Sequence, residues 1–309
     1  MEENLREDLQ EEDLQEENLQ CVAIHGRLFQ KVSVDNGIYC VPVVNDELEE
    51  DRLTAQHDVL FRLFGNTLFS PYMRIQDPRK ILECGYGGGD WAVQCAEEYE
   101  DCEVTAVDVY PMLMADQPDN LNLCEYNLND ALIDLEVFKA RPYDLIHSRC
   151  IGAGVKSNRW TSYIRDMKLL LRPNGWIQIV EYYLNIQSSS GRLTDDSAVR
   201  RWWNKYSEAM SQMNRDPRIG NRLQNLFIEA KLGDVRVETL QLPIGDWESD
   251  PVKASIGRDA VAMMGDLLES LSLWPLTQQL NYTVTEFQRL MSEVRTELQN
   301  KELKLYVPV

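Results

Sequence analysis

The stretch ILECGYGGGDWA, from Ile81 to Ala92, sets a glycine-rich turn directly behind a short apolar run. Four of the five residues from Gly85 to Gly89 are glycine. Glycine has no Cβ, so a ligand can lie directly against the backbone of such a turn. The pattern predicts a short strand, a ligand-binding turn and then a helix.

The spacing of these glycines limits the classes of ligand that the turn is expected to bind. The dinucleotide fingerprint G-x-G-x-x-G would need glycine at position 90, where the residue is Asp90, and the Gly-Lys-Ser/Thr ending of a phosphate loop is missing. The pattern present is E-x-G-x-G-x-G, made by Glu83, Gly85, Gly87 and Gly89. An acid ahead of the glycines suits a cationic amine better than a pyrophosphate. S-adenosylmethionine (SAM) has that amine and no phosphate, and Asp108, which ends the next strand, can accept hydrogen bonds from both ribose hydroxyls.

Strands and helices alternate along the chain from Lys80 onward. Apolar runs predict five strands, namely ILEC, CEVTAVDV, NLNLCEYN, YDLIHSRC and WIQIVEYYL. Helical spacing predicts helices over Asp51–Phe69, Trp91–Tyr99 and Trp160–Leu171. This order predicts an α/β fold, a doubly wound and mostly parallel Rossmann-like sheet that binds ligands at the carboxyl ends of its strands.

Changes in composition and apolar pattern along the sequence divide the chain into segments. The acidic leader, residues 1–22, is predicted to be disordered, with a partner-binding amphipathic helix as the alternative. A helical N-terminal cap over 23–78 precedes the Rossmann-like SAM-binding core over 79–187. Residues 188–302 predict a helical lobe that forms a lid over the ligand edge of the sheet and binds the acceptor. One core strand is expected within this lobe, near 233–243.

Composition excludes several classes of function. The 309 residues carry a formal net charge of −20, to which residues 1–20 contribute nine acids and one arginine. A nucleic-acid groove needs a basic stripe, so no nucleic-acid partner is expected. The seven cysteines are scattered without a C-x-x-C pair, which indicates reduced thiols in a cytoplasmic or nuclear protein, with neither disulfides nor a metal site. No apolar run approaches the ~20 residues of a membrane span, so no membrane partner is expected.

Several motifs together resemble the class I SAM-dependent methyltransferases, and more narrowly the fungal group related to the LaeA regulator of secondary metabolism. The resemblance extends from about Gly26 to the C-terminus and is carried by GIYCVP, DRLTAQH, ILECGYGGGDWAVQCAEEY, EVTAVDVYP, YDLIHSRCIGAG, LLLRPNGWIQIVE, LPIGDW and EVRTEL. DRLTAQH and DLIHSRCIGAG point to the narrower group. The resemblance also implies one more strand than KLYVPV completes, so residues 303–309 are expected to begin the last core strand.

The resemblance implies a set of contacts to the methionine end, the ribose and the adenine of SAM. Glu83 should lie near the methionine end and Asp108 on the ribose, while Asn127 or Leu128 should meet the adenine edge. Arg149 could pair with the SAM carboxylate or with an acidic acceptor. The predicted cofactor residues are Glu83, Gly85, Gly87, Gly89, Asp108, Val109, Asn127, Leu128, Ser148 and Arg149.

Methyl transfer needs in-line positioning of the acceptor and, for some acceptors, a base. Three candidates lie near the expected site: His57 in the DRLTAQH helix, His147 near the end of the fourth strand and Glu181 at the end of the fifth. Each also has a structural interpretation, as a packing histidine or a structural carboxylate. Imidazole titrates near neutral pH, so a histidine can accept a hydroxyl proton. We favour His57, because the resemblance implies that its helix folds over the cofactor and can close over the acceptor.

The RRWWNKY run of the lobe groups Trp202, Trp203 and Tyr206 on one helix face. These residues are expected either to pack in the core or to form an aromatic wall for a flat acceptor. The prediction is O-methylation of a small molecule, a fungal secondary metabolite, with S-adenosylhomocysteine (SAH) as the second product. One alternative is a regulatory subunit that acts through protein partners, with the leader as the docking segment. Another is a SAM-binding cyclase that transfers no methyl group.

Overall fold

A computed structural model describes residues 18–112, 114, 116–138 and 142–309. Most of the predicted acidic leader therefore lies outside the described residues. The described chain starts with an antiparallel hairpin, followed by a short helix and by the longer helix that carries DRLTAQH. These elements are β1 (Cys21–Ile24), β2 (Arg27–Gln30), α1 (Lys31–Asp35) and α2 (Glu47–Leu63).

The centre of the fold is a five-stranded parallel sheet. Its elements are β3 (Lys80–Cys84), α3 (Asp90–Glu98), β4 (Glu103–Asp108), β5 (Leu121–Glu125), β6 (Tyr143–Arg149), α4 (Trp160–Leu170) and β7 (Leu171–Val180). The strands lie in the order β5-β4-β3-β6-β7, and every neighbouring pair is parallel. The chain runs outward from β3 to β5 and then crosses back to β6, so the strand order reverses between β3 and β6, where such sheets bind their ligands. This topology confirms the predicted fold class.

The central strands are buried on both faces, which explains their nearly continuous apolar sequence. In β3, Ile81 packs with Trp91 of α3, whereas Leu82 packs in the cluster that contains Tyr163 of α4. Side chains alternate between the faces of a strand. Glu83 therefore shares the face of Ile81 and points toward the side of α3.

After β7 the chain is mostly helical, and the longest helix of this lobe packs against α2. The helices of the lobe are α5 (Ala198–Gln212), α6 (Leu223–Glu229), α7 (Pro251–Trp274) and α8 (Val284–Leu298). Two contacts fasten α2 to α7, namely the ion pair of Arg62 with Asp259 at 2.7 Å and the hydrogen bond from Ser270 to Glu49 at 2.7 Å. In the part of the chain that is described, no helix combines the length and the apolar character that crossing a membrane requires.

A second, antiparallel sheet corrects the expectation of further core strands. It consists of β8 (Gln187–Ser188), β9 (Gln241–Pro243) and β10 (Leu305–Pro308), in the order β8-β10-β9. Of the strand predicted near 233–243 only β9 forms, and neither β9 nor β10 joins the five-stranded sheet. Val237, in the middle of the predicted strand, is 59% exposed, so its side chain has no face against which to pack.

Helix α7 approaches the second sheet very closely. The carbonyl oxygen of Gly257 in α7 accepts a hydrogen bond from Gly245 N at 2.8 Å. A Cβ on Gly257 would stand 2.2 Å from Gly245 O and 3.2 Å from Pro243 Cβ. Glycine is therefore required where this helix crosses the loop after β9.

Candidate active site

A cleft opens at the carboxyl ends of β3, β4 and β6, between the sheet and the helical lobe. It holds about 1260 Å³ of empty space, counted out to the solvent at its mouth. One end is lined by the glycine turn and by residues that follow β4 and β5. The other end is lined by the loops after β6 and β7, by Tyr206 and Met210 of α5, and by Leu267 and Leu271 of α7.

The glycine turn has a backbone that glycine adopts without strain. Gly85, Gly87 and Gly89 have φ angles of +84°, +56° and +80°. A Cβ on Gly85 would stand 2.4 Å from Ile151 Cγ2, so the turn packs closely against the loop after β6. Gly85 and Gly87 line the cleft, whereas Gly89 does not. Gly89 precedes α3, and a Cβ there would meet Met112 Cε at 2.8 Å, so backbone conformation and packing both require glycine at this position.

Asp108 ends β4 and faces the cleft. Its Oδ2 accepts a hydrogen bond from Gly87 N at 2.9 Å, and its Oδ1 accepts one from Tyr110 N at 3.3 Å. These bonds orient the carboxylate, whose remaining lone pairs can accept hydrogen bonds from a ligand diol. Burial raises the pKa of Asp108, and the backbone donors oppose that shift. The wall beside it is made by Val109, Asn127 and Leu128.

Glu83 lies in β3 just ahead of the turn and does not reach the surface of the cleft. It is 1% exposed, and its Oε2 has no hydrogen-bond partner among the described residues. Burial raises the pKa of Glu83 to about 8, while the guanidinium of Arg149 opposes that shift. A buried carboxyl oxygen without a partner is unfavourable. Glu83 therefore fits a cationic group supplied by a ligand, such as the amine of SAM.

Arg149 ends β6 and lines the cleft. Its Nη2 donates to His57 Nδ1 at 3.0 Å, and His57 Nε2 donates to Gln94 Oε1 at 2.7 Å. An arginine can only donate, so His57 accepts through an unprotonated Nδ1 and carries its proton on Nε2. Burial, followed by the charge of Arg149, lowers the pKa of His57. The imidazole does not line the cleft, and we therefore correct its predicted role as the base for the acceptor.

His147 and Ser148 are buried within the sheet rather than in the wall of the cleft. The ring of His147 stacks on Trp91 at a centroid distance of 4.0 Å, and its Nδ1 accepts from Gln178 Nε2 at 3.2 Å. Burial lowers the pKa of His147 well below its usual value, so the ring is neutral. Ser148 donates to Cys84 O at 2.9 Å. The predictions of a catalytic His147 and a cofactor-binding Ser148 are corrected, because side chains of a strand covered on both faces point into the core.

The other end of the cleft, beside α5 and α7, contains Glu181, the residue after β7. Its Oε1 accepts a hydrogen bond from Ile151 N at 2.8 Å. Burial raises the pKa of Glu181 to about 8, against the opposing effect of backbone hydrogen bonds from Ile151 and Gly152. Of the three predicted bases, Glu181 is the one that lines the cleft. Tyr182 lines it as well, and its buried hydroxyl has no hydrogen-bond partner within the described ranges.

The aromatic cluster of α5 divides between the cleft and the core. Tyr206 lines the cleft, and the ring of Trp202 stacks on it at a centroid distance of 4.8 Å. Trp202 Nε1 donates to Ser272 Oγ at 2.9 Å, and Trp203 packs edge-on against Tyr183 at 5.6 Å. Both tryptophans are buried outside the cleft wall. The expected aromatic wall is therefore corrected to Tyr206, with Trp202 supporting it from behind.

The N-terminal cap contributes residues that the sequence analysis does not anticipate. Tyr39, Arg52 and Gln56 line the cleft. Arg52 donates to Glu49 Oε1 through Nε at 3.0 Å and Nη2 at 2.6 Å, and to Gln56 Oε1 through Nη1 at 2.8 Å. The E-x-x-R spacing of Glu49 and Arg52 is the signal that could have found this pair, since residues i and i+3 meet on a helix.

Arg215 also supports the cleft, and no sequence signal indicates it. It is 3% exposed, and its Nη2 donates to Gly37 O at 2.9 Å and Ile38 O at 2.8 Å. Its Nε donates to Ala153 O at 3.1 Å. Arg215 thus fastens the loop that carries Tyr39 to the loop after β6. The partners are backbone carbonyls far away in the chain, which no local spacing reveals.

The fold and the site together define a class of protein. A parallel sheet in this strand order, a glycine turn without phosphate-binding residues and an acid that ends the neighbouring strand are the parts of a Rossmann-like, SAM-dependent methyltransferase. The methyltransferase domain family matches residues 56–233, more than half of the chain, and the chain belongs to that family. Within the described ranges, no group of three His, Cys, Asp or Glu side chains could hold a metal ion.

Three curated relatives are similar over most of the chain. The secondary metabolism regulator LaeA of Aspergillus flavus is 28% identical, with 91% of this chain and 74% of the relative covered. The protein-methionine methyltransferase LaeA of Emericella nidulans is 27% identical, with coverages of 87% and 70%. The methyltransferase PytC of Aspergillus terreus is 26% identical, with coverages of 90% and 83%. The predicted resemblance to LaeA-like methyltransferases is confirmed.

Proposed function

We propose that this chain is a methyltransferase that transfers the methyl group of SAM to a hydroxyl oxygen of a small molecule, a fungal secondary metabolite. The observation that carries the proposal is the cleft that joins the glycine turn to an end lined by apolar side chains and by the carboxyl groups of Glu181 and Asp216. A cofactor and an acceptor can meet there away from bulk water. The similarity to PytC, whose name describes a methyltransferase, supports the methyltransferase activity in this proposal.

SAM would supply a methyl group on a sulfonium, and the residues at the first end of the cleft fit the rest of that molecule. Asp108 would accept hydrogen bonds from the ribose hydroxyls. Glu83 would balance the amine, and Arg149 the carboxylate. Val109 and Leu128 would flank the adenine ring. Gly85 and Gly87 leave the space beside the turn clear of side chains.

Glu181 is the residue we assign as proton acceptor. As the oxygen of the acceptor bonds to the methyl carbon, the sulfur–carbon bond breaks with its electrons passing to sulfur, and the hydroxyl proton passes to the carboxylate. Burial holds the pKa of Glu181 at about 8, near the value at which a base is efficient at neutral pH. Because the ionised form is the active one, turnover should increase as the pH rises through about 8.

Labelled SAM and metabolite extracts of the source organism provide the test. We expect label in one small molecule and an equal amount of SAH. Asp108→Ala should abolish SAH binding, whereas Glu181→Gln should bind SAH normally and lower turnover by ~10²–10⁴-fold. Methylation at an unchanged rate by Glu181→Gln would refute the assignment of the base, and wild-type protein that binds no SAH would refute the proposed function itself.

A protein-directed activity is the second candidate. Met210 of α5 lines the acceptor end of the cleft and is 2% exposed, and the relative from Emericella nidulans is named a protein-methionine methyltransferase. A thioether has no proton to lose, so its methylation to a sulfonium needs no base. Mass spectrometry should then find one added methyl group on Met210 that is missing in Met210→Leu. Label on protein alone would favour this candidate over a small-molecule acceptor.

A regulatory role through protein partners belongs to the same candidate. The relatives named as regulators of secondary metabolism and the acidic leader support it. Affinity capture with the full chain and with a chain that lacks residues 1–20 would test it. Partners that are lost on truncation, together with no labelled small molecule, would favour regulation over catalysis.

A further inference from the structure

Arg149 lacks the counter-ion that a half-buried guanidinium would ordinarily have. Among the residues that the structure describes, no carboxylate oxygen lies within 4.0 Å of it. The side chain nevertheless lines the cleft and donates to His57. A cation that faces a cleft without a paired acid is suited to an anionic ligand group. In the proposed function that group is the carboxylate of the cofactor.

The imidazole of His57 connects three elements around this guanidinium. His57 belongs to α2, Arg149 ends β6, and Gln94 lies in α3 directly after the glycine turn. Phe61, one turn further along α2, stacks against the imidazole at a centroid distance of 6.0 Å. The ring is therefore fixed in position, with one nitrogen on Arg149 and the other on Gln94.

We propose that His57 is a positioning residue, which holds Arg149 toward the cofactor carboxylate and thereby links cofactor affinity to its own protonation. This inference rests on the proposed function. Protonation would place an N–H of His57 against the N–H groups of Arg149, and the hydrogen bond between them could not form. The side chain of Arg149 would then be displaced, and the carboxylate of the cofactor would lose its partner.

Other charged groups lie near His57, and their contributions to the pH dependence of SAH binding must be separated from that of His57. Asp58 lies on α2, Asp90 on α3 and His147 on β6, and each interacts electrostatically with His57. Glu83 on β3 interacts with Arg149. Replacement of His57 alone leaves these groups in place, so a pH dependence that disappears with His57 belongs to His57.

The experiment measures SAH affinity by calorimetry for wild type, His57→Ala and His57→Asn at pH 7.5 and 5.5. The amide oxygen of asparagine can accept from Arg149 but does not titrate. We expect His57→Ala to weaken SAH binding about tenfold at pH 7.5, the loss of one charged hydrogen bond, and His57→Asn to stay within about threefold of wild type. Affinity of the wild type should fall toward pH 5.5 more steeply than that of His57→Asn, in which other groups such as Glu83, whose pKa is about 8, still titrate but position 57 does not. His25→Asn at an exposed position is the matched control.

A double-mutant cycle with Arg149→Gln distinguishes positioning from general packing. If His57 acts through Arg149, His57→Ala should weaken SAH binding in the wild-type background and change it little in Arg149→Gln. Equal losses in both backgrounds would overturn the inference, as would the same pH dependence in wild type and His57→Asn. Wild-type protein that binds no SAH would instead refute the proposed function. His57→Asn that binds SAH normally yet methylates nothing would also overturn it, because His57 would then act on the acceptor.

Discussion

Replacement of Glu83 by glutamine should stabilise the protein and weaken cofactor binding at the same time. Glu83 is 1% exposed, and its Oε2 has no hydrogen-bond partner among the described residues. Its pKa is about 8 in the fold and 4.5 in the reference state. Between these values the folded protein holds a proton that the unfolded chain has released. The free energy of unfolding of the wild type should therefore fall as the pH rises through that window.

The size of the effect follows from the shift in pKa. Each pH unit between the two values lowers the stability of the wild type by about 1.4 kcal/mol, so the penalty is roughly 3 kcal/mol at pH 7. Glu83→Gln has no proton to release. Its advantage over wild type should be small near pH 5, grow steadily toward pH 8 and then level off. Glu181, whose pKa is also about 8, is present in both proteins and cancels from the comparison.

Denaturant unfolding at pH 5, 7 and 8.5 measures this difference, and Glu238→Gln on the exposed surface is the matched control. SAH calorimetry on the same variants should show affinity about tenfold to a hundredfold lower for Glu83→Gln, since a charge-assisted hydrogen bond to the amine is lost. A stability difference that does not change with pH would refute the reasoning about burial. Undiminished SAH affinity would refute the pairing of Glu83 with the amine.

Two further predictions concern packing and the loop that carries Tyr39. Gly257→Ala should lower the free energy of unfolding by roughly 3 kcal/mol, because its Cβ would stand 2.2 Å from Gly245 O. The control Gly233→Ala, with no heavy atom within 4 Å of the added Cβ, should change the Tm by no more than about 2 °C. Equal losses of stability in the two variants would contradict the close approach of α7 to the loop after β9. Arg215→Met should leave the carbonyls of Gly37, Ile38, Ala153 and Met213 without this donor. It should speed hydrogen exchange of the Ile38 amide, which donates to Ser33 O at 2.8 Å, by at least tenfold, as mass spectrometry measures. Unchanged exchange there would show that the loop holds its place without Arg215.

The sequence predicts the parts of the fold that depend on local pattern. Apolar strands that alternate with helices place β3 to β7 and their parallel order, because such strands must be buried on both faces. The strand expected near 233–243 forms only as the short β9, because an alternating pattern is not sufficient for a strand. DVRVETLQL has the alternation of a strand, yet Val237 remains exposed, and alternation alone does not say whether a partner strand is available.

The residues of the candidate site likewise include some that a local motif predicts and some whose position depends on contacts remote in sequence. Asp108 and Gly87 follow from a motif whose spacing is set by one strand and one turn, and they meet at 2.9 Å. His57 and His147 look like bases in the sequence, because a histidine near a strand end or in a lid helix has the right chemistry. Their directions depend on Arg149 and Trp91, which are remote in sequence, and these contacts turn both rings away from the cleft.

The distribution of buried charge argues for a zwitterionic ligand in the cleft. Elsewhere in the fold, Arg27 is paired with Asp46 at 2.8 Å and Arg52 with Glu49 at 2.6 Å, while Arg215 donates to backbone carbonyls. Glu83 and Arg149 interact with each other electrostatically, yet neither is within ion-pair distance of an opposite charge in the described ranges. One unpaired acid and one unpaired base match an amino acid, which carries one charge of each sign. A phosphate ligand would satisfy only Arg149 and would be repelled by Glu83 and Asp108, so this arrangement selects against nucleotides by charge as well as by shape.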